Sequence, residues 1–142
     1  MAKLEINGMD ALLEDLGSIA DLPDNVVEDI LNAEADVIVE EQKKTARELW
    51  RGPYETGETA ASIKKGKVKV TPYGKSISVY PQGKNKDGNR NAEVAFINEY
   101  GKRSGRQKSG RPAIRLANER KGNEAVKAGE KVYHAFLDSK NL

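Results

Sequence analysis

Apolar residues Leu12, Leu13, Leu16 and Ile19 recur at three-to-four spacing in residues 9 to 20, the mark of a short amphipathic helix, with Gly17 weakening it. Leu22-Pro23-Asp24 supplies a turn and an acidic helix start, and residues 24 to 50 then run without glycine or proline. That stretch predicts one long helix with a wide apolar face built from Val26, Val27, Ile30, Leu31, Ala33, Val37, Ile38, Ala46, Leu49 and Trp50. Early acids and the late bases Lys43, Lys44 and Arg47 match the helix dipole. At about 1.5 Å per residue it spans about 40 Å, close to the full width of a domain this size. It must therefore cross the whole body and is long enough to protrude.

Gly52-Pro53 ends the helix, and Thr56 to Ile63 reads as a loop or a short helical turn. Apolar and polar residues then alternate in Lys67-Val68-Lys69-Val70-Thr71 and in Ser76-Ile77-Ser78-Val79-Tyr80, with Pro72-Tyr73-Gly74 between them. The pattern predicts an antiparallel hairpin with one buried face. Residues 82 to 92 carry no apolar side chain before Ala92 and predict a mobile loop. Val94 to Gly101 is an apolar run of either strand or helix that should pack inside. From Pro112 to about Asp138 the chain is helical again, with Gly122 expected to break it in two. The expected fold is α+β, a single domain over residues 1 to 142. In it a long N-terminal helix and a C-terminal helix pack on a small antiparallel sheet. No internal repeat or sustained heptad is present.

Charge alters this picture more than composition does. Of the 142 residues 37% are hydrophobic and 32% charged, which suits one self-sufficient core. Cysteine is absent, so disulfides, thiolate zinc sites and cysteine nucleophiles are excluded. The opening residues lack an apolar signal core, and no stretch approaches the roughly 20 apolar residues of a membrane span. The formal net charge is only +2, yet residues 1 to 42 hold twelve acids and a single base, Lys3, while residues 43 to 142 hold 23 bases and ten acids. Unless the fold mixes its ends, such a chain is a dipole that favours head-to-tail association.

Catalytic chemistry finds little support. The one histidine, His134, lies near the chain end on a predicted helix, where solvent exposure is the expectation. The acids between residues 24 and 41 fall around several sides of a helix, as solvated acids do. Glu41-Gln42-Lys43 and Glu119-Arg120-Lys121 resemble a nuclease triplet, but that pattern belongs on a strand, where alternate side chains share a face. No phosphate-binding loop is present. A nuclease is therefore a distant third reading, and no cofactor or metal is implied. By contrast, residues 101 to 111 contain Lys102, Arg103, Arg106, Lys108 and Arg111, three glycines and no acid. That mobile basic loop is expected to contact either phosphate backbone, without sequence preference, or an acidic neighbouring surface.

Three stretches carry a resemblance to a known family: Thr56-Gly57 with Ser62-Ile63, then Val94 to Gly101, then Arg111-Pro112-Ala113-Ile114-Arg115-Leu116-Ala117. Their order and content resemble the tail-completion and head-tail joining (neck) proteins of long-tailed phages and prophages, over roughly residues 4 to 137. Lys102 stands where that family usually has threonine, and Ala113 where it has an aromatic. The resemblance implies a non-enzymatic virion subunit, made in the bacterial host cytoplasm. It would assemble as a ring with itself and with neck, portal or tail proteins, with DNA in the lumen and no membrane contact. The alternative reading is a sequence-independent nucleic-acid-binding protein.

Overall fold

The computed structural model describes residues 22–51, 56–102 and 109–140. The amphipathic segment expected at residues 9 to 20 lies outside them. Helix α1 (Asp24–Leu49) and helix α4 (Ala113–Ser139) make the largest contact in the molecule. Between them come a single turn of helix, α2 (Glu58–Ala61), four short strands, β1 (Ile63–Lys65), β2 (Lys69–Thr71), β3 (Gly74–Ser76) and β4 (Val79–Pro81), and helix α3 (Asn91–Tyr100). The architecture is the expected α+β arrangement of two long helices and a small antiparallel set of strands.

The two long helices run antiparallel. Near one end the Trp50 indole donates to the Arg111 carbonyl (2.9 Å), further along Gln42 Nε2 donates to Asn118 Oδ1 (2.9 Å), and beyond that Glu34 lies against Gly129. Small residues on α4, Ala113, Ala117, Ala125 and Gly129, are all buried and let α1 come close. On α1 the matching buried side chains include Ile30, Ile38 and Ala46, and Trp50 closes the pair at 2% exposure. The expected break at Gly122 does not occur, because α4 continues through it. A glycine inside a helix costs only about 1 kcal/mol relative to alanine, and burying the α4 stripe along α1 outweighs that.

The strands depart most from the sequence pattern. The predicted hairpin is divided: β2 pairs with β3 across Pro72-Tyr73, whereas β4 pairs with β1, a strand the pattern did not predict and whose first residue, Ile63, ends the expected loop or helical turn. The β2–β3 ribbon has no buried face. Val70 is 76% and Tyr73 99% exposed, while Ile63, Ile77 and Val79 enter the core. Three-residue strands supply too few alternations for the pattern to choose a partner, and a core already walled by two long helices accepts only one strand pair. Residues 82 to 92 are polar and mostly exposed as expected, and they carry an internal hydrogen-bond frame. Lys84 bridges to Arg90, and Asn85 Oδ1 accepts from the amides of Asp87 and Asn89 (3.0 Å each).

The acidic and basic parts of the chain meet in places. Lys65 pairs with Asp36 (2.8 Å), and Lys75 with Asp24 (3.3 Å) and Glu28 (3.4 Å), tying the strands to α1. Pairs whose carboxylates stand in solvent contribute about 0–1 kcal/mol each. They fix orientation more than stability.

Candidate functional site

The residues at the two later motifs converge on one crossing, where α3 ends and α4 begins. Helix α3 stops at Gly101, whose φ of 85° is a conformation that favours glycine. Glu99, buried at 6% exposure, turns toward the first turn of α4, where its carboxylate oxygens accept from the amides of Ile114 and Arg115 (3.0 Å each). Two of the amides left without helical partners at any helix N-terminus are thereby satisfied, and the negative charge meets the positive end of the dipole. Pro112, at the position before the helix, offers no side-chain cap of its own. Glu99 substitutes for it from another element.

Asn98 and Arg111 complete the crossing. The Asn98 carbonyl accepts from the Arg111 amide (2.7 Å), and its Oδ1 accepts from Arg111 Nη2 (3.2 Å). Arg111 Nη1 also donates to the Arg51 carbonyl, so one guanidinium joins α3 to the end of α1. Gly110 fits here because it has no side chain: a Cβ would stand 2.9 Å from the Tyr100 Cα and closer still to the Glu99 carbonyl oxygen.

The first motif is spent on the sheet. Gly57, with φ 80°, precedes α2. Ser62 Oγ donates to the Thr59 carbonyl (2.6 Å), and Ile63 opens β1 and is fully buried. Asn91 ties α3 to this segment, its Oδ1 accepting from Thr59 Oγ1 (3.5 Å), and to the chain after β4, its Nδ2 donating to the Gln82 carbonyl (2.9 Å) and its amide to the Gly83 carbonyl (3.0 Å).

Of the five basic residues singled out in the sequence, Arg111 is half-buried in the crossing and Lys102 is exposed directly after α3. Arg103, Arg106 and Lys108 lie outside the described residues. A second set of exposed bases, Lys64, Lys67, Lys69, Lys84, Lys86 and Arg90, lies on the strands and the following loop. Residues 63 to 92 contain one acid, Asp87.

The run from Val94 to Gly101 is not wholly interior. On α3, Ala95, Asn98 and Glu99 are buried, but Phe96 (58%) and Tyr100 (69%) face outward with ring centroids 4.8 Å apart. A ten-residue amphipathic helix has only one face for the core, and the i and i+4 aromatics fall on the other. Beside them opens a groove of about 250 Å³ whose walls include Tyr80, Pro81, Ala95, Phe96, Tyr100 and Ile114.

Two acids on α1 lie inside, contrary to the expectation that all of them are solvated. Glu41 is 7% exposed and accepts from Thr45 Oγ1 (3.4 Å). Glu34 is 1% exposed, packed against Gly129, and its Oε1 has no hydrogen-bond partner among the described residues. Burial pushes its carboxyl up to about 8, so it is mostly protonated at neutral pH. Its position midway between Ile30 and Ile38, at four-residue spacing on the apolar stripe, was the sequence signal for burial.

His134 is exposed, and both triplets lie within helices, as their sequence context predicts. No group of three or more histidine, aspartate or glutamate side chains suited to a metal ion occurs among the described residues, and no helix there is long and apolar enough to cross a membrane. Comparison with known protein families, curated protein sequences and solved structures returns no match.

Proposed function

We propose that this chain is a non-enzymatic structural subunit of a phage or prophage particle, joining head and tail as a tail-completion or neck component. The observation that supports the reading is the use to which the resembling motifs are put. Glu99, Gly101, Arg111 and Pro112 bind α3 to the start of α4, and Gly57, Ser62 and Ile63 place α2 and β1. These residues serve as joints of a scaffold. What the scaffold leaves outside is an aromatic edge, Phe96 and Tyr100, with the exposed base Lys102 two residues beyond it. Apolar surface rimmed by charge suits contact with other proteins.

In this reading the chain assembles in the virion as a homo-oligomeric ring after synthesis in the host cytoplasm. Lys102, Arg103, Arg106, Lys108 and Arg111 would face an acidic neighbour or DNA in the lumen. The test is native mass spectrometry of the purified chain, alone and mixed with phage portal and tail proteins. Complexes with itself or with those partners are the expected result, and a strictly inert monomer in every mixture would refute the reading.

A second reading, sequence-independent nucleic-acid binding, draws on the exposed bases of residues 64 to 90. It requires DNA affinity at physiological salt that falls steeply as salt rises. Retention of that affinity after neutralising both basic sets would dismiss it.

A further inference from the structure

We propose that the outward face of the strands binds the phosphate backbone of double-stranded DNA through Lys64, Lys67 and Lys69. The inference rests on the nucleic-acid reading above and confines the contact to one face of one hairpin. The two strand pairs are halves of a single hairpin, as their registers show. Ile63 pairs with Pro81 and Lys65 with Val79, and the Gly66 amide donates to the Ser78 carbonyl (2.7 Å); past that point Lys69 pairs with Ser76 and Thr71 with Gly74. Between Gly66 and Lys69 stand two residues, Lys67 and Val68, and between Ser76 and Ser78 only Ile77. One strand therefore carries an extra residue, a β-bulge that bends the ribbon and resets the alternation of that strand.

The bulge sorts the lysines into two kinds. Along the uninterrupted strand Lys75, Ile77, Val79 and Pro81 alternate onto the side of α1: the last three are buried, and Lys75 reaches Asp24 and Glu28. Lys65, the partner of Val79, lies on that side too and is paired with Asp36. Ser76, Ser78 and Tyr80, with Lys69, Gly66 and Lys64 opposite them, form the other face, and Lys67 stands in the bulge between. Lys64, Lys67 and Lys69 are exposed, and none is in an ion pair among the described residues. Residues 59 to 86 contain seven lysines and no acid. Four ladder steps separate Lys64 from Lys69, about 13 Å, a spread that suits separate phosphates of a polyanion and not one small anion. Lysine and hydroxyl side chains are the ones that contact a phosphate backbone. A protein partner would call for an apolar centre, but exposed Val70 lies on the α1 side as the partner of Lys75, and Tyr73 belongs to the turn beyond the face. A single strand would call for aromatic platforms, and the one aromatic on this face, Tyr80, is half-buried, its ring lying against Gly66. The loop bases Lys84, Lys86 and Arg90 are set apart: Asp87 and Glu93 accompany them in sequence, and Glu58 accepts from the Lys86 amide (3.1 Å).

Binding of the full-length chain to a fluorescent mixed-sequence duplex, followed by anisotropy from about 50 to 200 mM salt, tests the assignment. The Lys64→Gln/Lys67→Gln/Lys69→Gln chain should bind at least about tenfold more weakly at the lower salt and lose about 3 from the slope of log affinity against log salt. Its circular dichroism and urea midpoint should match the parent; a change in either would place these lysines in the fold and overturn their assignment to a free face. Lys64→Arg/Lys67→Arg/Lys69→Arg keeps the charge and should bind as the parent does. Lys84→Gln/Lys86→Gln/Arg90→Gln removes as much charge from the loop and should leave most of the affinity and slope in place. Equal losses in the two glutamine variants, undiminished binding in the first, or weakened binding in the arginine variant overturns the proposal. So does tighter binding of the parent to the single strand of the same sequence or to polyglutamate. A parent that binds duplex through bases elsewhere, those of residues 102 to 111 included, sinks this contact alone. A parent that binds no duplex even at about 50 mM salt sinks the nucleic-acid reading with it.

Discussion

Replacing Glu34 by glutamine isolates what it costs to hold a carboxyl inside the helix pair. The side chain is 1% exposed, lies against Gly129, and has an oxygen with no hydrogen-bond partner among the described residues. Burial raises its folded-state value from 4.5 to about 8. Between those values the unfolded chain has released the proton and the folded chain has kept it. The unfolded state then binds fewer protons, and stability falls as pH rises. Each pH step in that window is worth about 1.4 kcal/mol. The native chain should therefore lose roughly 3 kcal/mol between pH 4.5 and 7, against total stabilities of about 5–15 kcal/mol for domains of this kind. Glutamine has nearly the same shape and cannot ionise. The Glu34→Gln chain should match the parent near pH 4.5, exceed it by about 3 kcal/mol at pH 7, and exceed it further up to about pH 8, where the gap levels off. Urea unfolding of both chains at half-unit pH intervals from 4.5 to 9 measures that gap directly. Two stability curves that stay parallel across the range would show that Glu34 does not titrate between 4.5 and 8 in the fold, and the argument from burial would fail.

Three further outcomes follow from the same contacts. Trp50→Ala should cost about 3–5 kcal/mol, because the indole is both buried and bonded to the Arg111 carbonyl; a negligible change in the urea midpoint would contradict that placement. Glu99→Ala strips two α4 amides of their acceptor and should cost about 2–4 kcal/mol, with Glu99→Gln recovering part of it. Equal losses for both variants would mean that packing, and not capping, is the role of Glu99. Gly110→Ala drives a methyl into the Glu99 carbonyl and the Tyr100 backbone, and should cost at least about 2 kcal/mol; an unchanged melting temperature would show that the crossing yields easily.

How far the sequence reveals this molecule depends on how much chain shares each pattern. Helix α1 was legible end to end because its glycine-free run and charge gradient act over 26 residues. The strands were not, since three-residue segments alternate in the same way whichever partner they take. Gly122 misled because a local propensity of about 1 kcal/mol is small beside burial along the whole of α4. Glu34 is readable from its place between Ile30 and Ile38, where position on the apolar stripe prevails over charge. Glu99 was different in kind. Its partners are fifteen and sixteen residues away, and no periodicity marks a carboxylate that caps a helix other than its own. The same holds for the groove, whose walls come from β4, α3 and α4. Of the predicted basic site, Arg111 proved to be a joint as well as a charge, tied to Asn98 and to the Arg51 carbonyl.

The joint at Arg111 also sets the terms on which the basic stretch can change. Tyr100 and Gly110 touch, and Arg111 is bonded to Asn98, so the two anchors of the stretch sit side by side. Doubling the length of a span closed in this way adds only about 0.6 kcal/mol of closure entropy. Residues can be inserted, removed or recharged between those two anchors while the helices beneath keep their positions. The joint thus holds α1, α3 and α4 together by contacts that do not depend on the length or charge of that stretch.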